Sequence, residues 1–343
     1  MPSVTITPLE TFTDPRLPES AWEALLAQGD TDTVFLTRQW QTAWWEVFGR
    51  GKLLLLGAER EGRIVALAPL FSEAGMVFFV GSGGSDYLDF IGDTGEPAVL
   101  EALLAAARDS TPDFVGFRFY HVPDQSRTGE RLQDASQLLG LVCYDEGDLV
   151  APALDLARDP EAALVVSRRK SLLRHERSLQ RNGRLEVRHL RGGEAIRPHL
   201  PAFFEQHIAR WEATPYPSLF LDPSQRRFYE RLAQGAGEVG WLRFTCVTWD
   251  ERPIAFHFGS CYRGSYLWYK PSFDIALAKS SPGEVLLRHL LLAAIDEGAH
   301  TFDFGLGDEP FKRRFATHTA RVRTWGLYPP EVCQPETESA NEV

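Results

Sequence analysis

Apolar positions recur along the chain with two periods, and their order predicts a mixed α and β fold. Residues Leu36–Phe48 carry Trp40, Trp44 and Trp45 at helical spacing, which reads as a buried stripe. LLLLGA (53–58) and RIVALAPLF (63–71) read as two strands joined by the polar turn Glu59–Gly62, and MVFFVG (76–81) supplies a third. A helix over Glu96–Asp109 must end before Pro112, and FVGFRFYHV (114–122) follows as a strand.

The second half repeats this order. WLRFTCVTW (241–249) and PIAFHFGSCY (253–262) flank the turn Asp250–Arg252, and SYLWYK (265–270) is the third strand. A helix from about Gly283 to Glu297 leads into TFDFG (301–305). Leu103 and Leu291 are 188 residues apart, and Phe117 and Phe302 are 185 apart. That near-constant offset predicts a duplicated strand–strand–strand–helix–strand unit. The boundary is expected in APALDLARDP (151–160), where two prolines and a charge cluster break the periodicity. The domains are therefore read as 1–155 and 156–328. The tail 329–343, rich in glutamate and proline, is read as disordered.

Charge changes the picture in one place. Formal net charge is −11 over 343 residues, which argues against a general nucleic-acid binder. Segment 168–191, however, holds nine cations against Glu176 and Glu186, a local +7 that leaves −18 elsewhere. Lys170, Arg174, Arg177 and Arg181 step by four, three and four, so a helix aligns them on one face. Val165, Leu172 and Leu179 supply its apolar stripe, and Asn182–Gly183 is read as its cap. The alternatives are a solvated face or a surface for a phosphate-rich ligand, for which arginine's bidentate geometry is suited.

Cys143, Cys246, Cys261 and Cys333 show neither disulfide nor zinc spacing, and no HExxH or acidic calcium loop occurs, so no metal is expected. The start MPSVTITPLETFTDP lacks the basic and apolar regions of a signal peptide, and VLLRHLLLAAI is interrupted by Arg288 and His289. The expected setting is cytoplasmic, without membrane insertion. Asp303-Phe304-Gly305 imitates a kinase motif but lacks the accompanying catalytic and phosphate loops. His257 and Cys261 share a strand face but lie roughly 13 Å apart, too far for a thiol pair.

A family becomes visible in RRKSLLRHERSLQRNGRLEV, FFEQHIARW, GSYLWYKPSFD, SPGEVLLRHLLLAAIDEGAHTFDFG and GDEPFKRRF. Together with the tryptophan helix and VGSGGSDYLDF, these motifs resemble the CelD-type branch of GNAT-fold acyltransferases, related to the Fem-type transferases. The resemblance implies an α/β (α+β) fold of tandem GNAT-like domains, each a mixed, mostly antiparallel sheet flanked by helices. It also implies acyl transfer from acetyl-coenzyme A or another acyl-coenzyme A to an amine of a small molecule or sugar. Alternatives are a Fem-like transferase using aminoacyl-tRNA and a noncatalytic accessory protein of polysaccharide assembly.

The resemblance places the donor phosphates at Lys279, Ser280, Ser281 and Gly283, entering a helix N-terminus, with Arg174 and Arg177 as further contacts. The same positions also read as an ordinary helix cap, and Glu284 departs from the family pattern. Asp303 or Glu309 is the expected base or acceptor ligand, and Lys312 an anion contact; alternatively Asp303 caps a turn and Lys312 is solvated. Asp86, Tyr87 and Asp89, after a glycine-rich turn, are candidate substrate contacts. Tyr269 is a candidate acid for the leaving thiolate, or a packing residue.

Overall fold

The structure is a computed structural model that describes residues 4–158 and 160–333. The described residues divide into two compact units, 4–149 with 321–333, and 150–320, and the expected disordered tail lies outside them from residue 334 on.

The first unit opens with β1 (Thr5–Leu9), α1 (Glu19–Gln28) and α2 (Arg38–Phe48). The antiparallel meander β2 (Lys52–Arg60), β3 (Arg63–Glu73) and β4 (Met76–Phe79) follows. β5 (Ile91–Gly92) pairs with β3, and α3 (Pro97–Asp109) crosses to β6 (Gly116–Pro123), which lies parallel to β4. α4 (Thr128–Leu138) completes the run. The tryptophan stripe is buried as its spacing requires: Trp40 and Trp44 point inward from α2, and Trp40 Nε1 donates to Ser85 Oγ at 2.9 Å. Rings of Phe79, Phe90 and Phe119 close the centre, with Phe79 and Phe119 4.6 Å apart.

β7 (Val142–Asp155) carries the chain onward. Residues 151–155, expected to be a linker, are the end of this fourteen-residue strand, and Ala151 and Leu154 are buried. Pro152 is tolerated because its carbonyl, not a missing N–H, makes the ladder bond, accepting from Phe304 N at 3.0 Å.

In the second unit, α5 (Pro160–Ser167) and α6 (Lys170–Asn182) precede β8 (Leu185–Leu190). Next come α7 (Gly193–Ile196), α8 (Leu200–Glu212) and α9 (Pro223–Val239). The meander β9 (Leu242–Trp249), β10 (Arg252–Tyr262) and β11 (Ser265–Phe273) then leads into α10 (Pro282–Asp296). That helix crosses to β12 (Thr301–Asp303), parallel to β11, and α11 (Pro310–Phe315) follows. β13 (His318–Tyr328) returns to pair with β6 in the first unit's sheet.

Each unit thus contains an antiparallel three-strand meander, a crossover helix and a parallel strand, the order the repeat predicts. Both hairpins of the second meander turn on two left-handed residues, Asp250–Glu251 and Arg263–Gly264, the conformation that matches strand twist.

Two apolar layers cover the second sheet. Val285, Leu286, Leu290 and Leu291 of α10 pack with Leu172 and Leu179 of α6 on one face. On the other, Phe203 of α8 and Tyr229 of α9 enclose Phe244, Phe256 and Phe258. Each such side chain contributes about 1.5–3 kcal/mol of burial free energy. Val165 does not belong to the α6 stripe. It lies on the separate helix α5 and is exposed. Gly183 ends α6 in extended rather than left-handed backbone. A side chain there would strike Trp249, whose indole donates to Leu179 O at 3.0 Å.

Candidate active site

The site candidates of the second unit gather where β11 and β12 part. Their parallel pairing lasts three residues, ending at Leu267 opposite Asp303, while β11 continues to Phe273. Beyond Asp303 the chain stays with β7, through Phe304 N to Pro152 O and Gly307 N to Val150 O. The strands therefore diverge, and a wedge opens between Trp268–Phe273 and residues 304–309. Its floor is aromatic, with Trp268 and Phe311 rings 6.2 Å apart.

One edge of the wedge is the turn Gly305–Glu309. Asp303 Oδ1 accepts from Gly305 N at 2.8 Å, so its carboxylate holds the start of the turn. Gly307 has φ +118, and a side chain there would meet Glu309 Oε2 at 2.5 Å, so glycine is needed on both counts. Glu309 sits at the N-cap of α11 without spending its side chain on capping. It remains half-exposed and pairs with Lys312 at 2.9 Å. Lys312 is not solvated. Only 5% of its side chain is exposed, and Nζ also donates to Leu306 O at 2.6 Å. Lys312 therefore ties the turn together from inside.

The facing edge is β11, whose register against β10 slips between Phe258 and Ser260, a bulge at Trp268–Tyr269. Tyr269 N donates to His257 Nε2 at 3.2 Å. This leaves Nδ1 of the wholly buried His257 without a hydrogen-bond partner, and burial pulls its pKa down to about 3. Tyr269 itself is buried, near-stacked on Tyr229, with Lys270 Nζ 3.9 Å from its ring centre.

Behind the end of β11, α8 presents His207, Arg210 and Trp211. His207 Nε2 accepts from Trp211 Nε1 at 3.1 Å, so its Nδ1 proton points to Ser218 Oγ at 2.8 Å. Burial, aided by Arg210 and Lys270, lowers its pKa to about 3. With both ring nitrogens engaged, His207 cannot activate Ser218 as a nucleophile.

The expected donor positions form the entry to α10. Lys279 and Ser280 end a short 3-10 turn over Ile275–Ser280, and Ser281 is left-handed at the N-cap. Ser281 gives the helix no side-chain capping bond, so the cap reading is met by its backbone position alone. Gly283 faces the Phe273 ring, where an added Cβ would lie 3.2 Å from Cδ1. The charge of Glu284 is countered by Arg314 at 3.0 Å, with His175 at 3.6 Å. α6 packs against α10 and reaches the 275–280 turn, with Arg174 and Arg177 on its exposed face. Glu176, on the inner face, binds Arg288 and His289 of α10 at 3.1 and 2.8 Å.

In the first unit, the three SDY-motif candidates differ in setting. Asp86 and Tyr87 are half-buried, Tyr87 packing edge-on against Phe35. Asp89 is fully buried; its carboxylate accepts from Thr31, Thr128 and Phe90 N at 2.6–2.8 Å. Burial raises its pKa, while those bonds oppose the shift. No cluster of metal-ligating side chains occurs among the described residues.

Residues 166–313 match the model of the acetyltransferase (GNAT) domain. That segment is a GNAT-type acyltransferase domain. Its fold is similar to FemX, at 10% identity and TM-score 0.65, over 90% of this chain and 95% of that one. It is also similar to the C-terminal domain of a putative lysylphosphatidylglycerol synthetase from Agrobacterium fabrum, at 15% identity and TM-score 0.54, over 83% and 86%. A tandem GNAT protein from the clavulanic acid biosynthesis pathway aligns over 95% and 99% at 11% identity and TM-score 0.50. A search of curated proteins found no match. Among the described residues, no helix is long and apolar enough to cross a membrane.

His207, Arg210 and Trp211 carried no functional assignment from the sequence. Their spacing in FFEQHIARW was the available signal, since steps of three and four put them on one face of a helix.

Proposed function

We propose that the second unit transfers an acyl group from an acyl-coenzyme A to the amine of a small molecule or sugar. The observation that carries this reading is the wedge between β11 and β12, which opens beside the α10 N-terminus. A helix entry favours the donor's pyrophosphate through its N–H groups and dipole. Lys279, Ser280, Ser281 and Gly283 would contact it, with Arg174 and Arg177 flanking. Glu284 does not forbid an anion there, because Arg314 offsets its charge.

On the acceptor side, the ammonium must lose a proton before it can attack the thioester. Glu309 is the freer carboxylate and takes the role of base, while Asp303 holds the turn beneath it. The nitrogen then forms the amide bond as the carbon–sulfur bond breaks, and the coenzyme A thiolate leaves with a proton for which Tyr269 is the candidate donor. Lys312 lends positive charge from below. Asp86 and Tyr87 remain candidate substrate contacts of the first unit, while Asp89 is buried on Thr31 and Thr128.

The motif order supports a CelD-type member and hence a sugar-linked amine. Free thiols at Cys143, Cys246 and Cys261 accord with a cytoplasmic setting. A second reading, aminoacyl transfer from tRNA, is favoured by the exposed arginines of α6, which suit a long phosphate track. Calorimetry with acetyl- and longer acyl-coenzyme A, against charged tRNA, decides between them. Heat with an acyl-coenzyme A, and acylated amine formed by the wild type but not by Glu309→Gln, supports the first reading. Tight binding of charged tRNA alone replaces it with the second.

A further inference from the structure

Arg210 is the most unusual cation of the second unit. Its guanidinium stacks on Phe273 at 4.6 Å and lies 5.4 Å from the Trp211 ring centre. Nη1 donates to Pro271 O at 2.9 Å. These contacts fix the plane of the fork yet leave most of its five donors unused. Among the described residues, no carboxylate comes within ion-pairing distance of it. A half-buried guanidinium normally acquires such a partner, because desolvating a charge without one is costly. Burial accordingly depresses its pKa, and Glu309 is the acidic group whose charge opposes the shift.

Glu309 is already paired with Lys312. The end of β11 therefore presents a rigid, aromatic-backed guanidinium whose donors are mostly unused.

We propose that Arg210 binds an oxyanion, a carboxylate or phosphate, that the acceptor carries beside its amine. This rests on the reading that Glu309 receives the acceptor. Glu309 is the acidic group whose charge acts on Arg210, so one molecule would present its amine to Glu309 and its anion to Arg210. Planar stacking on Phe273 suits a bidentate contact that lysine cannot reproduce.

Matched amines test the assignment: ethanolamine with phosphoethanolamine, glucosamine with glucosamine 6-phosphate, and tyramine with tyrosine, each with acetyl-coenzyme A and thiol release as the readout. The wild type should prefer the anionic member of at least one pair tenfold or more in kcat/KM. Arg210→Gln should abolish that preference through KM, Arg210→Lys should recover part of it, and KM for acetyl-coenzyme A should move less than twofold. The two phosphates against tyrosine separate the two oxyanion types. An unchanged preference, a loss seen in the donor's KM, or an equal fall for both members of every pair would overturn the proposal. If the wild type releases no thiol with any amine, the acyl-coenzyme A reading fails. Calorimetric binding of the same six compounds then decides Arg210 separately. Anionic members bound by the wild type and not by Arg210→Gln uphold it; equal binding, or none to the wild type, refutes it.

Discussion

Glu309 and Lys312 meet at 2.9 Å across one turn of α11, the carboxylate half in solvent and the ammonium buried. The same ammonium reaches Leu306 O, so one side chain fixes both ends of the turn that borders the wedge. Lys312→Met keeps the buried stem but leaves that carbonyl unsatisfied. It should cost about 1–3 kcal/mol of stability in urea unfolding and lower kcat as the turn loosens. A variant as stable and as active as the wild type would remove Lys312 from the site.

The two carboxylates near the turn should separate under amide substitution. Asn at 303 retains an acceptor for Gly305 N, so Asp303→Asn should hold kcat within about tenfold of the wild type. Glu309→Gln removes the base and should lower kcat by about 10²–10⁴. Steady-state rates at saturating amine measure both. The reverse order would transfer the base role to Asp303.

Acid should weaken the second unit through two imidazoles. His207 and His257 both have pKa values near 3 when folded, against an ordinary 6.5. The unfolded chain therefore takes up protons first. Stability from each is complete above about pH 6.5 and is lost as pH falls toward 3, at roughly 1.4 kcal/mol per pH unit per imidazole. Urea midpoints at pH 7.5 and 5.0 should fall more for the wild type than for His257→Gln.

Arg174 and Arg177 are exposed, so charge reversal should leave the fold intact and act on donor binding. Arg174→Glu combined with Arg177→Glu should raise the acyl-coenzyme A Kd at least tenfold in low salt, with the gap narrowing as salt screens it. Unchanged titrations at every ionic strength would make the basic face a solvated one.

Glu176 joins α6 to α10 by accepting from both Arg288 and His289. Glu176→Ala leaves Arg288 buried without its counter-ion and should cost about 3–5 kcal/mol. The fall in urea midpoint reports it. Glu176→Gln, which keeps an acceptor, should cost less.

The repeat was legible in the sequence because strand alternation and helix spacing survive duplication even when identities do not. Leu103 with Leu291 and Phe117 with Phe302 fall on equivalent elements, α3 with α10 and β6 with β12. Residues 151–155 form strand despite their proline and charge because the chain just after β12, arriving about 150 residues later, bonds the carbonyl of Pro152. Whether Lys312 contacts an anion or is solvated stayed open in the sequence, because one-dimensional patterns cannot show that a glycine turn folds back over it. Glu176 likewise read as one of two acids on a basic face, whereas it points to α10. The arrangement around Arg210 depends on Phe273 and Pro271, more than sixty positions away.

The early parting of β11 and β12 has a consequence for solubility. A strand whose parallel ladder stops at Leu267 keeps an edge from Trp268 onward, and exposed edges normally invite other chains to add to the sheet. Here the edge lies inside a domain, faced by the 304–309 turn, with Pro271 O already bound by Arg210. Another polypeptide strand therefore finds no free flank on which to align. Resistance to aggregation thus comes with the same three-residue pairing that opens the wedge.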